Sequence, residues 1–141
     1  MAPHQLRAHQ ILRLRKPGAM SRASYSSTLS QHLDSLLTLF TLAFFEEAPE
    51  QAFSIVDCDR FEPRLRAHLN GAKTDDKAWY ALRNIVLACG CRIALSKTAS
   101  FSEASRSSWL YFENALSVYT DLVFLRGSFM IVQALILMVR H

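Results

Sequence analysis

Two cysteines separated by a single residue, Cys89 and Cys91, are the first candidates for a chemical site in this sequence. Paired thiols can bind a metal ion or cycle through a disulfide. On a helix, however, residues two apart point about 200° away from each other, so these two thiols would not readily ligate one ion. A structural zinc site needs four ligands, and the sequence has no second cysteine pair. With Cys58 the count is odd, and no secretory signal peptide is seen, so we expect reduced thiols packed in a core.

The histidines and serines form no catalytic pattern. The histidines are scattered through the chain at His4, His9, His32, His68 and His141. None of them forms the HxxxH or HExxH spacing of helical zinc ligands. The serines from Ser100 to Ser108 lack a nucleophile-elbow sequence and a neighbouring base that could activate one of them. We interpret them as solvated serines at the start of a helix.

The remaining charged and aromatic candidates favour structural roles. An acidic cluster alternates with arginines in the order Asp57, Asp59, Arg60, Glu62, Arg64 and Arg66. Mixed charges at this spacing usually lie on a solvated face. Trp79 and Trp109 lie on apolar helical faces, which favours core packing over a ligand pocket. Four glycines leave no phosphate-binding loop. We therefore predict a chain that is not an enzyme, with no catalytic, cofactor-binding or metal-binding residue and no cofactor.

The positive charge is concentrated at one end of the sequence. Five of the 16 basic residues precede the first acidic residue, Asp34, and the rest of the chain is close to neutral although the net charge is +4. A nucleic-acid surface needs clustered Lys and Arg. We therefore expect no direct sequence-specific nucleic-acid binding by this chain.

Residues 1–28 contain Arg, Ser, Gln and His but no acid, and Pro17 with Gly18 interrupts any helix there. We predict a basic flexible tail at 1–28 and a helical domain at 29–141. The tail has three interpretations that the sequence leaves open. It is typical of a mitochondrial presequence, of a basic nuclear arm, or of a solvated tail without a partner.

Helical periodicity dominates the rest of the chain, and the fold class that we predict is all-α. Apolar spacing and capping residues predict helices at 29–44, 62–69, 76–95 and 103–125. Ser100 and Glu103 have the spacing of a capping box. The helix at 76–95 has two apolar faces, so we expect it between neighbours, with Gly90 allowing a close approach. We expect 103–125 to bury one long apolar arc that begins at Trp109.

The apolar run 129–139 predicts a last helix, which Ser128 would cap. It is about half the length needed to span a bilayer and contains Gln133, so we predict a core helix and no membrane span. The short connection at Arg126 and Gly127 predicts an antiparallel hairpin with the preceding helix. Because the sequence stops within this pattern, we expect an incomplete domain whose last helix leaves apolar side chains uncovered and promotes self-association.

Three segments in order carry a family resemblance: AWYALRNIVLACGCRI, SWLYFENALSVYTDLVF and FMIVQALILMV, all within residues 78–141. Together they resemble the middle homology region of fungal zinc-cluster transcription factors. In that family a tryptophan-led helix like 79–93 precedes an amphipathic helix like 109–124 and a helix with Gln-Ala-Leu like 131–137. The resemblance implies an irregular multi-helix regulatory domain in a nuclear protein.

The sequence departs from the family pattern in two respects. It contains no six-cysteine zinc cluster, and the family's middle region continues well past residue 141. No zinc-binding or DNA-contacting residue is carried over from the family. The resemblance implies a regulatory helical domain, at 29–141, that acts through protein contacts or effector sensing without its own DNA-binding module. The alternative is a small mitochondrial structural or assembly protein with residues 1–28 as its presequence.

Overall fold

The computed structural model describes residues 22–47 and 55–141, and this part of the chain is all-α, as predicted. It contains six helices and no strand. The helices are α1 (Arg22–Glu47), α2 (Cys58–Leu69), α3 (Lys77–Ser96), α4 (Phe101–Leu116), α5 (Tyr119–Phe124) and α6 (Phe129–Arg140).

Helix α1 begins earlier than the apolar pattern predicts. Residues 22–28, which were assigned to the basic tail, are its first turns, and residues 1–21 lie outside the described part. Contacts divide the chain into two units, and the border between them, at Leu37 and Thr38, lies inside α1. In the second unit, Phe40 and Phe44 are buried at the helical spacing of four, and Phe45 beside them is buried too.

Helix α2 also begins before its predicted start at residue 62. Asp57 caps it, since its side chain accepts a hydrogen bond from the amide of Asp59. Pro63 therefore lies inside the helix, where it removes one intrahelical hydrogen bond. The predicted end is confirmed, because Asn70 is the C-cap and Gly71 follows with a φ of 90°.

Helix α3 lies at the centre of the second unit. The Asp76 carboxylate accepts hydrogen bonds from the amides of Ala78 and Trp79, so the predicted cap is confirmed. Most of the helix from Ala78 to Cys91 is buried. At Gly90 the backbone of α1 comes so close that an added Cβ would lie 1.9 Å from the carbonyl oxygen of Phe40. The close approach expected at this glycine is therefore present.

The predicted continuous helix at 103–125 is two helices in the structure. The capping box of Ser100 and Glu103 is confirmed, with both reciprocal hydrogen bonds formed. Helix α4 ends at Leu116, because Val118 has φ −107° and ψ 6° and leaves the helical conformation. The Ser117 hydroxyl donates to the carbonyl of Asn114 at 2.7 Å, a local bond that competes with the helical pattern.

Helix α6 begins after Ser128 as predicted, although the Ser128 side chain makes no capping hydrogen bond. Gly127, with a φ of 80°, turns the chain before it. In the core, α6 packs more extensively on α3 than on α4. The antiparallel hairpin of the last two helices stays a prediction.

The core of the second unit contains a chain of aromatic side chains that joins three helices. Ring centroids are 5.1 Å apart for Phe44 and Phe45, 5.6 Å for Phe45 and Phe61, and 5.1 Å for Phe61 and Trp79. These spacings lie in the favourable range for aromatic pairs, and burial of each such side chain contributes about 1.5–3 kcal/mol. The chain of contacts fixes α2 and the part of α1 around Phe44 and Phe45 against α3.

Candidate interaction surface

The cysteine pair belongs to the core. Cys89 and Cys91 are free and buried, and Cys58 is free and partly buried. Burial raises the pKa of each of the two core thiols to about 11, so both are protonated at neutral pH. Within residues 22–47 and 55–141, no group of three or more His, Cys, Asp or Glu is placed to hold a metal ion. The predicted packing of Cys89 and Cys91 as core thiols is confirmed.

His141 has contacts that its position in the sequence does not indicate. Its ring stacks on Phe112 with centroids 4.7 Å apart, and its Nδ1 lies 3.8 Å from the Cys89 sulfur. Arg92 donates a hydrogen bond to its main-chain oxygen. Burial, and then the charge of Arg92, lower the pKa of His141 to about 4. With a protonated thiol beside a neutral imidazole, this pair is not the thiolate–imidazolium pair of a cysteine nucleophile.

His68 forms a second structural pair. Its Nε2 lies 2.7 Å from a guanidinium nitrogen of Arg83, which also lies over the ring of Tyr80 at 5.4 Å. Burial, followed by the Arg83 charge, lowers the pKa of His68, so the imidazole is neutral and accepts from the arginine. His32 is exposed, and His4 and His9 lie outside the described residues.

Ser100 and the acidic cluster take the structural roles that the sequence favours, whereas Ser108 is buried and not solvated as expected. Ser100 is a helix cap, and the buried Ser108 hydroxyl donates to the carbonyl of Ser105 at 3.0 Å. Asp57 caps α2, and Glu62 pairs with Arg66 on its exposed face. These groups bond to main-chain atoms or pair with neighbouring charges. None of them is placed as a base beside a nucleophile.

One arginine of that cluster reaches the core. The guanidinium of Arg64 pairs with Asp76 at 2.6 Å and lies 4.9 Å from the centre of the Trp79 ring. Partial burial alone would raise the pKa of Asp76, but hydrogen bonds from the Trp79 amide and from Arg64 outweigh it and lower that pKa. The pair joins the middle of α2 to the N-cap of α3.

The two tryptophans have different environments. Trp79 is 1% exposed, which confirms its predicted place in the core, whereas Trp109 is 50% exposed. The core prediction for Trp109 is therefore wrong. Its indole Nε1 donates to Glu113 on the same helix at 2.6 Å. The face of α4 that packs toward α3 carries the buried residues Ala104, Ser108 and Ala115. Trp109 lies at the margin of that face.

A large part of the apolar surface of α4, α5 and α6 faces solvent. Of the predicted apolar arc, Ala115 and Leu122 are buried. Its exposed members are Trp109, Leu116, Tyr119 and Val123. Other exposed apolar residues in this part of the chain are Phe101, Leu110, Phe124, Leu125, Phe129, Val132, Ile136 and Val139. Exposed apolar side chains in such number are typical of surfaces that contact another molecule.

The last helix is uncovered only in part. The apolar side chains that we expect to be uncovered are Phe129, Ile131, Val132, Leu135, Ile136 and Met138. Phe129, Val132 and Ile136 are exposed, Leu135 is half-buried, and Ile131 and Met138 are buried. Helix α6 therefore contributes one face to the core and presents another to solvent.

A shallow groove of about 500 Å³ lies between the start of α3 and the end of α5. It is lined by Asp75, Asp76, Lys77, Asp121, Phe124 and Leu125. Lys77 and Asp121 pair across it at 2.7 Å, and Asp76 pairs with Arg64. Since most of its charges are already paired, the groove offers no reactive group.

Among the described helices, α3 is the one that is long and apolar enough to cross a bilayer. Most of it is buried inside the fold, as is usual for the central helix of a compact domain. The described part of the chain therefore shows no clear membrane span.

Comparison with known proteins identifies no relative. No family model matches the chain, and no curated protein and no solved structure shows significant similarity to it.

Proposed function

We propose that this chain is a non-enzymatic regulatory helical domain, similar to that of fungal zinc-cluster transcription factors, which acts in the nucleus through protein contacts. The observation that supports this proposal best is the exposed apolar surface of α4, α5 and α6. A contact of this kind gains free energy by removing apolar area from water, at about 25 cal/mol per Å².

The chemistry of the described residues is consistent with this role. The core thiols are protonated and buried, His141 and His68 have neutral structural roles, and the acidic groups act as caps or ion-pair partners. We therefore assign the function to surface recognition. If the chain also senses an effector, binding of that effector would alter the packing of these helices and so the surface that they present.

A tethering experiment tests the regulatory role. The chain is fused to a heterologous DNA-binding module, and expression of a reporter gene is measured in fungal cells beside the module alone. We expect a change in reporter output, and we expect the chain without the module to show no sequence-specific shift of duplex DNA. A matched variant, Trp109→Ser with Phe124→Ser, should lose the reporter effect while it keeps the helical circular dichroism of the parent.

The alternative is a mitochondrial structural or assembly protein, which the acid-free basic segment at 1–28 favours. Import into mitochondria with loss of that segment, measured by fractionation and by the mass of the mature chain, would support it. The same result would exclude the nuclear proposal.

A further inference from the structure

Helix α6 has two apolar faces on opposite sides, and the core covers only one of them. At 100° per residue, the buried residues Ile131, Ala134, Leu137 and Met138 span an arc of about 120°. The opposite side carries Phe129, Val132, Ile136 and Val139, which we call the α6 stripe. Their exposed fractions are 75%, 51%, 43% and 88%.

The spacing of the α6 stripe is that of a coiled-coil seam. Its residues follow each other at intervals of three, four and three, as the a and d positions of a heptad do. The stripe spans an arc of about 80°, which is narrower than the apolar face of at least about 100° typical of amphipathic helices on a core. The narrow seam therefore fits the ridge of one other helix better than a broad sheet or a bilayer surface.

Charge indicates which kind of helix would occupy this seam. Residues 122–141 contain Arg126 and Arg140 and no acid. Both arginines are exposed, and neither is in an ion pair within the described residues. Arg140 follows Val139 directly, at the e position that borders the seam.

If a second copy of this chain packed on the stripe, its arginines would lie near Arg126 and Arg140 whether the two helices ran parallel or antiparallel, because both ends of the stripe carry a positive charge. A helix with acidic residues beside its apolar seam would pair with both. The geometry points to the α6 stripe as the docking site of a separate polypeptide, an amphipathic helix with apolar a and d residues flanked by Glu or Asp. This inference deepens the proposed protein-contact function and rests on it.

The test uses two synthetic helical peptides of three heptads, with Leu and Ile in the seam and either Glu or Lys at every e and g position. Like charges at e and g keep each peptide from pairing with itself. Binding to the full chain is measured by fluorescence anisotropy of a labelled peptide. We expect the Glu peptide to bind at least about tenfold more tightly than the Lys peptide at low salt, with the difference reduced by added salt.

Three variants locate the contact. Val132→Asn with Val139→Asn should abolish binding of the Glu peptide, whereas Leu110→Asn, an exposed leucine on α4, should leave it unchanged. Arg140→Glu should reverse the preference toward the Lys peptide. Thermal melts of each variant check the fold, which we expect to stay intact because all of these side chains are exposed.

Other occupants of the seam would give different results. A dimer in sedimentation velocity that Val132→Asn dissociates would identify a second copy, and binding to anionic phospholipid vesicles through the stripe would identify a membrane surface. Either result, or equal affinity for both peptides, would overturn the inference. If the parent chain does not bind the Glu peptide but still changes reporter output, the docking site on the α6 stripe is refuted and the regulatory proposal stands. Peptide binding without a reporter effect would refute only the regulatory proposal.

Discussion

The close contact at Gly90 gives the sharpest prediction of stability. A Cβ at this position would lie 1.9 Å from the carbonyl oxygen and 2.6 Å from the carbonyl carbon of Phe40. Because these are backbone atoms of a neighbouring helix, no side-chain rotation can relieve the overlap, and α1 would have to move. Overpacking of this kind costs about 3 kcal/mol at the upper end of its usual range, whereas alanine gains about 1 kcal/mol over glycine in a helix. We expect Gly90→Ala to lower the free energy of unfolding by about 2 kcal/mol.

Urea denaturation followed by circular dichroism measures this change. With a dependence on urea of about 1–3 kcal/mol per molar, the midpoint should fall by about 1 M. Hydrogen exchange should show that protection is lost first in residues 38–47 of α1, around Phe40, whose backbone lies beside Gly90. Gly71→Ala is the matched control, because its Cβ would meet open space and only the positive φ, at a cost of about 1–2 kcal/mol, opposes it. A Gly90→Ala variant as stable as the parent would refute the close approach of α1 and α3.

Three further predictions concern titratable groups. The pKa of His141 is about 4 in the folded chain and about 6.5 when unfolded, so the unfolded state binds the proton first as the pH falls. Stability should be constant above about pH 7 and decrease by about 1–2 kcal/mol between pH 6.5 and 4, since the half-buried ring is screened by solvent. His141→Phe should reduce this slope in urea titrations at each pH, and the part that remains should come from His68, whose pKa burial also lowers. Asp76→Ala should cost about 1–2 kcal/mol through loss of the cap and of the Arg64 pair, and Asp76→Asn, which keeps an acceptor, should cost less. A thiol reagent at pH 8 should modify one cysteine, Cys58, quickly in the native chain and the other two only after unfolding.

Each of these predictions has an outcome that contradicts it. A pH slope as steep in His141→Phe as in the parent would assign the titration to another group. Equal losses in the alanine and asparagine variants of Asp76 would show that the ion pair, and not the cap, is the main contribution. Three thiols that react at one rate would mean that Cys89 and Cys91 are not enclosed.

Helix type and the starts of α3 and α4 were predictable because their causes lie within a few residues. The Asp76 cap and the capping box of Ser100 and Glu103 depend on side chains that reach amides two or three positions away. Elsewhere the prediction missed. The predicted start of α2 at residue 62 overlooked the cap at Asp57, and the apolar arc through Val118 concealed the break after α4.

The sequence by itself determined that this protein is helical, that Trp79 and the thiols Cys89 and Cys91 lie in a core, and that Gly90 admits a close neighbour. Only the tertiary structure decided which apolar faces are covered. Trp109 and the α6 stripe have the same periodicity as buried side chains, yet they face solvent. Likewise, His141 reaches Phe112 and Cys89 through packing between distant segments. The reason is physical: periodicity assigns a side chain to a face of its own helix, whereas burial depends on which other helix lies against that face.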